Sequence, residues 1–384
     1  MKTVKIIKKN GVLLSKKDFL NLINIIEFKK LGKYYSEGRT CYYKLTHSIT
    51  INNVEYNYLK IKGNGFFNND TFTPPSDQEF IRRDLHYGFN DNSKPILIKS
   101  DSAPLGGMVL KRALQEYENF TFLINKNVST LYPFCIFKYK TPKFKKDYLG
   151  VSVAFSEEPY RFDKLLFSSI PKKYLKFYQK VFFSEFGYNS DLSFKDRVKL
   201  IQNIAYKYAR EIRKFCDSGL YIHSGGWSNI QYSFKKKNIV LVDMDSSKRN
   251  VLNDDNLKDR DLVSNIYRLF INLYNPNCIK CYTPEILKKT NYCYYLLKGF
   301  YYEMEDEPLL LVSKKINNFY IKNCFNNIKK IERDMLKISE KQVQKMELNI
   351  FDFYNYCMQQ IYKNIKGGDN KWKNLVKHKR KKYF

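Results

Sequence analysis

Three short stretches of this 384-residue chain carry residue types that can do phosphate chemistry. The first is Lys62, Gly63, Asn64 and Gly65, at the end of the alternating run 54–62, VEYNYLKIK. A lysine on a strand can aim a fixed positive charge at phosphate oxygens, and neighbouring glycines let backbone N–H groups approach them. The second is Glu116, in RALQEYE at 112–118, a carboxylate able to pair with Lys62 and hold its ammonium toward the phosphates. Glu118 competes for that role, but two residues turn about 200° round a helix, so only one of the two faces a given side. The third is the loop YIHSGGWSN, 221–229, followed by the strand and turn IVLVDMD, 239–245. An Asn on a loop (Asn229) and an Asp closing a hydrophobic strand (Asp243) supply oxygen ligands for Mg²⁺ or Mn²⁺. Such a cation needs few protein ligands where phosphates and water complete its octahedron. A strand-end Asp also makes ordinary turns with residues such as Ser246 and Ser247.

These residues need a strand, a helix and a loop-to-strand unit to position them. Residues 54–62 alternate as a strand, which Gly63 and Gly65 are expected to break. The polar stretch 66–105, with Pro74 and Pro75, reads as a loop or insertion. A helix is expected over 108–124, with Met108, Ala113, Leu114, Tyr117 and Leu123 on one broad face. Strands at 131–138 and 148–155 follow, then a link, 156–161, and a short helix near 162–168. The clearest helix is 195–216, where Ile201, Ile204, Ala205, Tyr208, Ile212 and Phe215 fall on one face. Ser193 is placed to cap its start and Gly219 to end it. After the strand 238–243, a helix near 259–274 buries Leu262, Ile266, Leu269 and Leu273, and the chain reads as helical to about 365. The first 60 residues mix β-like runs with Lys-rich turns and suggest no function. Strands early and helices late suit an α+β protein of two lobes.

In order and context these pieces resemble the protein-kinase-like superfamily over roughly residues 50–275. A strand Lys (Lys62) comes first, then a helix Glu (Glu116), two strands and a hinge-like link (156–161). A long helix then runs into a catalytic-loop-like segment, 223–229, and a strand ending at a metal Asp (Asp243). DRDL at 259–262 opens a helix where kinases place the central helix of the C-lobe. Within the superfamily the chain looks most like the selenoprotein O-like pseudokinases, which share KGxG after the strand Lys and a helix reading like Gln115-Glu116-Tyr117. The resemblance implies an α+β, two-lobed protein-kinase-like fold, with a β-rich N-lobe and a helical C-lobe. It implies ATP with Mg or Mn as cofactors, Lys62, Gly63, Gly65 and Glu116 as nucleotide-binding residues, and Asn229 and Asp243 as metal ligands. It also implies transfer of phosphate or AMP to a hydroxyl of a protein, peptide or small molecule. The expected organisation is an extension of unknown role over 1–50, an N-lobe with a loop insertion over 51–160, a C-lobe over 161–366 and a basic tail over 367–384.

The chain departs from the family where the base should stand. Kinases carry an Asp five residues before the metal Asn, a position held here by Ser224; the selenoprotein O pattern puts an Asp immediately before the Asn, here Ser228. Neither hydroxyl accepts a proton well at neutral pH. His223, Asp217 and Asp245 are the remaining candidates. Positioning and electrostatics dominate phosphoryl transfer, so the loss of the Asp lowers the expectation of catalysis without removing it. A pseudokinase that holds nucleotide and docks a partner is the alternative.

Bulk properties leave a third class open. The formal net charge of +30 suits a polyanion partner such as nucleic acid, with Trp372 and the Lys/Arg cluster of the tail as contact point. A base-composition bias toward Lys, Asn, Ile, Tyr and Phe explains the same charge, since the lysines are spread along the whole chain. An apolar fraction of 43% argues for a packed core rather than disorder. The eight cysteines lack the spacing of a disulfide scaffold. Cys278 and Cys281 form a CxxC, with Cys293 and Cys324 beyond, and a plain turn accounts for that pair as well as zinc does. No stretch reaches the ~20 apolar residues that span a bilayer, so a cytoplasmic setting is the expectation.

Overall fold

The computed structural model describes residues 4–31, 38–68, 71–80, 86–89, 95–98, 103–159, 161, 194–221, 229–233, 235–249 and 292–302. Their chain partitions into two compact units. One comprises Met1–Leu192 with Glu211–Cys281, the other Ser193–Arg210 with Tyr282–Phe384.

The first unit is built on an antiparallel sheet in the order β1-β9-β10-β3-β2. Its strands are β1 (Val4–Lys9), β2 (Gly38–Ile51), β3 (Val54–Asn68), β9 (Tyr132–Phe144) and β10 (Asp147–Ser156). β2 and β3 form a long hairpin closed at Asn52 and Asn53, with φ of 50° and 61°. A two-residue turn of this hand matches the twist of the strands, and Asn tolerates the left-handed backbone it requires. Within the stretch 1–50, β1 pairs with β9 and β2 with β3.

Two helices cover opposite faces of this sheet. α1 (Lys16–Ile26), which the sequence reading passed over, starts at an N-cap where Ser15 Oγ accepts from the Asp18 N–H at 3.0 Å. It buries Leu22, Ile25 and Ile26 against Leu59, Ile61, Phe137, Tyr139, Val151 and Val153. Asp18 ties it to β2, accepting from Tyr43 Oη at 2.7 Å and from the Thr46 N–H at 3.0 Å. α2 (Leu110–Asn125) lies on the other face, where Met108, Ala113 and Tyr117 pack on Ile136.

Between β3 and α2 the structure differs from the loop expected over 66–105. β3 passes through Gly63 and Gly65 to Asn68 and pairs there with β4 (Thr71–Thr73). β5 (Glu79–Phe80) pairs with β8 (Ala103–Pro104), and β6 (His86–Phe89) with β7 (Pro95–Ile98). Ladder hydrogen bonds need no apolar side chains, so polar composition hid these short hairpins. The glycines do not end β3 because φ of 94° and 138° let the strand bend and continue.

α3 (Phe194–Asp217) spans the helix expected at 195–216 and is followed by Gly219 at φ 87°. β11 (Leu220–Tyr221) pairs with β14 (Lys248–Arg249), and β12 (Ile230–Ser233) with β13 (Asn238–Leu241). In the second unit, α4 (Tyr292–Phe300) brings Gly299 so close to Tyr206 O that an added Cβ would lie 2.2 Å away. The helices expected near 162–168 and 259–274, the four spaced cysteines and the basic tail with Trp372 lie outside the described residues. Antiparallel sheet plus helices make this an α+β protein. Among the described residues, no helix is long and apolar enough to cross a membrane.

Candidate functional site

Alternation along β3 puts Lys60 and Lys62 on the sheet face that carries α2, while Leu59 and Ile61 point into the core beneath α1. β3 lies between β10 and β2, so Lys62 is fixed in register opposite Ser152 on one side and Thr40 on the other. Its side chain is 2% exposed. Lys62 Nζ donates to Glu116 Oε1 at 3.0 Å, donates to Asp243 Oδ1, and lies 3.2 Å from Asp245 Oδ2. Burial alone would push this ammonium down, but Asp243, Asp245 and Glu116 together hold it above the usual lysine value.

Glu116 is 1% exposed, while Glu118, two residues on, is on the outer side of α2 and reaches Lys8 at 3.3 Å. The helix thus assigns the inward position to Glu116. Burial works to raise the Glu116 carboxyl, yet Lys60 and Lys62 bring it below the ordinary glutamate value. Lys60, which the sequence reading missed, lies 3.5 Å from the same Oε1 and 5.7 Å from the Phe120 ring centroid. Burial lowers its pKa to about 8, against the opposing pull of Glu116. The signal for it was present: Lys60 and Lys62 are two apart in an alternating strand and must share a face.

α2 also positions the third piece. Asn119 Nδ2 donates to Met244 O and Ser247 O, both at 2.9 Å, and Gln115 Nε2 donates to Ser247 O at 2.6 Å. The residues flanking Glu116 thereby hold the turn that carries Asp243 and Asp245. From the other side, the Leu241 N–H donates to Ser129 O at 2.9 Å and Thr130 Oγ1 donates to Leu241 O at 2.8 Å. Asp243 follows β13 with φ 73°, a left-handed conformation that Asp adopts more readily than most residues. Burial disfavours its charge, but Lys62, Arg161 and Lys60 hold the carboxyl well below the usual aspartate range.

Two arginines complete the cluster and were also missed. Arg39, at the start of β2, donates from Nη2 to Asp245 Oδ2 at 2.7 Å and from Nη1 to Gly107 O at 3.3 Å. Arg161 Nη1 donates to Asn229 Oδ1 at 3.2 Å. Asn229 is the residue before β12, and its carbonyl accepts from the Val242 N–H at 3.0 Å, which seats it beside the start of the Asp243 turn. Arg39 and Arg161 lie far from the motifs in sequence, and no local spacing marks them.

Gly63 and Gly65, the expected phosphate cradle, are closely packed. The Gly65 N–H donates to Gly106 O at 2.9 Å. A Cβ at Gly63 would lie 2.7 Å from Gly150 O and one at Gly65 2.1 Å from Phe72 Cε2. Both positions are occupied by close packing of the chain on itself. His223 and Ser224 lie outside the described residues. Asp217, considered as a base, is on the surface and pairs with Arg213 at 2.8 Å.

In sum of charge the site sets Arg39, Lys60, Lys62 and Arg161 against Glu116, Asp243 and Asp245. A buried cluster with surplus positive charge favours an anion, and Asp243, 16% exposed, is its most open carboxylate. Among the described residues, no three His, Cys, Asp or Glu side chains converge to hold a metal ion unaided.

No protein-family model matches the chain, and no curated protein matches it. Among solved structures the chain aligns with one described as WaaP in complex with acyl carrier protein, at 10% sequence identity and a TM-score of 0.34. The alignment covers 80% of this chain and 98% of that one. A likeness of that size supports no inference about chemistry.

Proposed function

We propose that the chain is an atypical protein-kinase-like transferase that binds ATP with Mg²⁺ or Mn²⁺ and moves phosphate or AMP to a hydroxyl of a protein, peptide or small molecule. One observation carries this reading: Lys62, on an inner strand, is held jointly by a helix carboxylate, Glu116, and by the strand-following Asp243. Kinase-like sites use that combination to place a cation on the phosphates and a carboxylate on their metal. The reading extends to a two-lobed architecture in which residues 51–160 belong to the N-lobe together with β1, α1 and β2, and 161–366 to the helical C-lobe.

Asp243 and Asn229 are the residues that would hold the cation. A carboxylate and an amide oxygen are hard donors suited to Mg²⁺, and two suffice when phosphates supply the rest. The cation would neutralise charge on the transferring phosphate. Lys62 would turn from Asp243 toward phosphate oxygens, and Glu116 would keep its stem directed. Because four cations already crowd the site, a bare divalent ion is disfavoured there and a metal–nucleotide complex is favoured.

A second reading, a pseudokinase that binds nucleotide without turnover, is favoured by Asp245. Its Oδ2 lies within hydrogen-bonding reach of both Arg39 and Lys62, which leaves it poorly placed to take a proton from a substrate hydroxyl. Incubation with ATP labelled separately at the α and γ phosphates, alongside Asp243→Ala, separates the readings. Label from the α phosphate means AMP transfer and label from γ means a kinase. Nucleotide-induced stabilisation without label means a pseudokinase, and neither label nor stabilisation sinks the proposal.

A further inference from the structure

Both lysines of β3 meet Glu116 at the same oxygen, yet their surroundings differ. Lys62 reaches three carboxylates, whereas Lys60 has Glu116 as its single carboxylate partner among the described residues. Lys60 is also enclosed: it is 1% exposed, faces the Phe120 ring, and stands in register between Tyr42 of β2 and Ala154 of β10. Tyr42 is itself buried and accepts from Gln231 Nε2 at 3.1 Å. Lys60 therefore has no open direction in which to leave Glu116.

This arrangement answers a physical difficulty in the site. If Lys62 were the sole partner of Glu116, sharing its ammonium with phosphate oxygens would weaken the only compensation of a water-excluded carboxylate, which is unfavourable. A second lysine on the same oxygen removes that obstacle. We infer that Lys60 is a positioning residue for anionic ligand binding: it stays on Glu116 as a second counter-charge at neutral pH, so that Lys62 is free to exchange Asp243 for the phosphates of a nucleotide. Lys60 touches neither ligand nor metal in this scheme and acts through Glu116. The inference rests on the nucleotide reading above.

The test is a double-mutant cycle on affinity for a fluorescent ADP analogue with Mg²⁺, using wild type, Lys60→Met, Glu116→Gln and the double variant. Lys60→Met should fold, since Glu116 keeps Lys62. Lys60→Gln, which retains a donor without charge, replaces it if circular dichroism shows otherwise. In the wild-type background the loss of Lys60 should weaken binding about tenfold, a coupling within the range seen for contacting groups. In the Glu116→Gln background, with no carboxylate left to hold, the same change should matter less than about twofold. A purely structural or long-range electrostatic role would give equal losses in both backgrounds, and that result overturns the inference alone. Failure of the wild-type chain to bind the probe overturns the nucleotide reading and this inference with it.

Discussion

Lys62 Nζ and Asp243 Oδ1 share a hydrogen bond across 181 positions of sequence. Strand β3 contributes the first and the turn after β13 the second, and helix α2 holds both. Glu116 binds the lysine directly, while Gln115 and Asn119 bind the turn through Ser247 O and Met244 O. One helix thus sets the distance between the cation and the carboxylate on which the proposed chemistry depends.

Asp243→Asn and Asp243→Ala should both abolish nucleotide-dependent labelling while circular dichroism remains unchanged. The two should differ in stability. At φ 73°, Asn tolerates the left-handed backbone and Ala does not, so Ala should cost about 1 kcal/mol more in urea denaturation. Equal stability of the two variants would show that the backbone at Asp243 is not under this constraint.

Glu116→Ala removes the carboxylate shared by two buried lysines and should destabilise by about 3–5 kcal/mol, the range for breaking one side of a buried pair. Glu118→Ala, at a half-exposed surface pair with Lys8, should cost less than about 1 kcal/mol. Comparable losses at the two positions would contradict an inward Glu116 and an outward Glu118.

Lys60 makes stability depend on pH. Its pKa is lowered from 10.5 to about 8 by burial, so below that value the folded protein bears the cost of a buried ammonium. Between the two values the unfolded chain binds the proton that the folded chain has released, and stability rises with pH. The groups acting on Lys60 are Glu116, Lys62, Arg161 and Asp243. Wild type should therefore gain on Lys60→Met between about pH 8 and about pH 10.5. A stability gap that is flat across this window counts against a lowered pKa.

Mg²⁺ alone, at millimolar concentration, should leave the melting temperature unchanged, whereas Mg²⁺ with ADP should raise it. The surplus of cations around Asp243 opposes a bare divalent ion and attracts the nucleotide's phosphates. Stabilisation by Mg²⁺ alone, lost in Asp243→Asn, would point to a metal site independent of nucleotide.

Gly63→Ala should destabilise by about 2 kcal/mol or more, because φ 94° is strained for any side chain and the methyl would meet the backbone of Gly150. At Gly65 the obstacle is the Phe72 ring, so adding Phe72→Ala should recover part of the loss from Gly65→Ala. No recovery would place the cost in the backbone alone.

Local pattern was enough to find the strand that carries Lys62, the helix that carries Glu116 and the fact that Glu116 and Glu118 face apart. These follow from periods of two and 3.6 residues, which are written into neighbouring side chains. The same alternation contains Lys60, two residues before Lys62 and on the same face. Beyond that range the sequence is silent. Whether Gly63 ends β3 or bends it depends on Met108 and Gly150 closing over it. Whether the polar stretch after it pairs into hairpins depends on backbone partners that composition does not mark. That Arg39 clasps Asp245, that two lysines share one oxygen of Glu116, and that Asp243 closes on Lys62 were decided by strand register and by the hydrogen bonds that tie the turn after β13 to α2. Charges far apart in the chain carry no mutual signal until the sheet brings them within hydrogen-bonding distance, and burial there turns weak surface charges into strongly coupled ones.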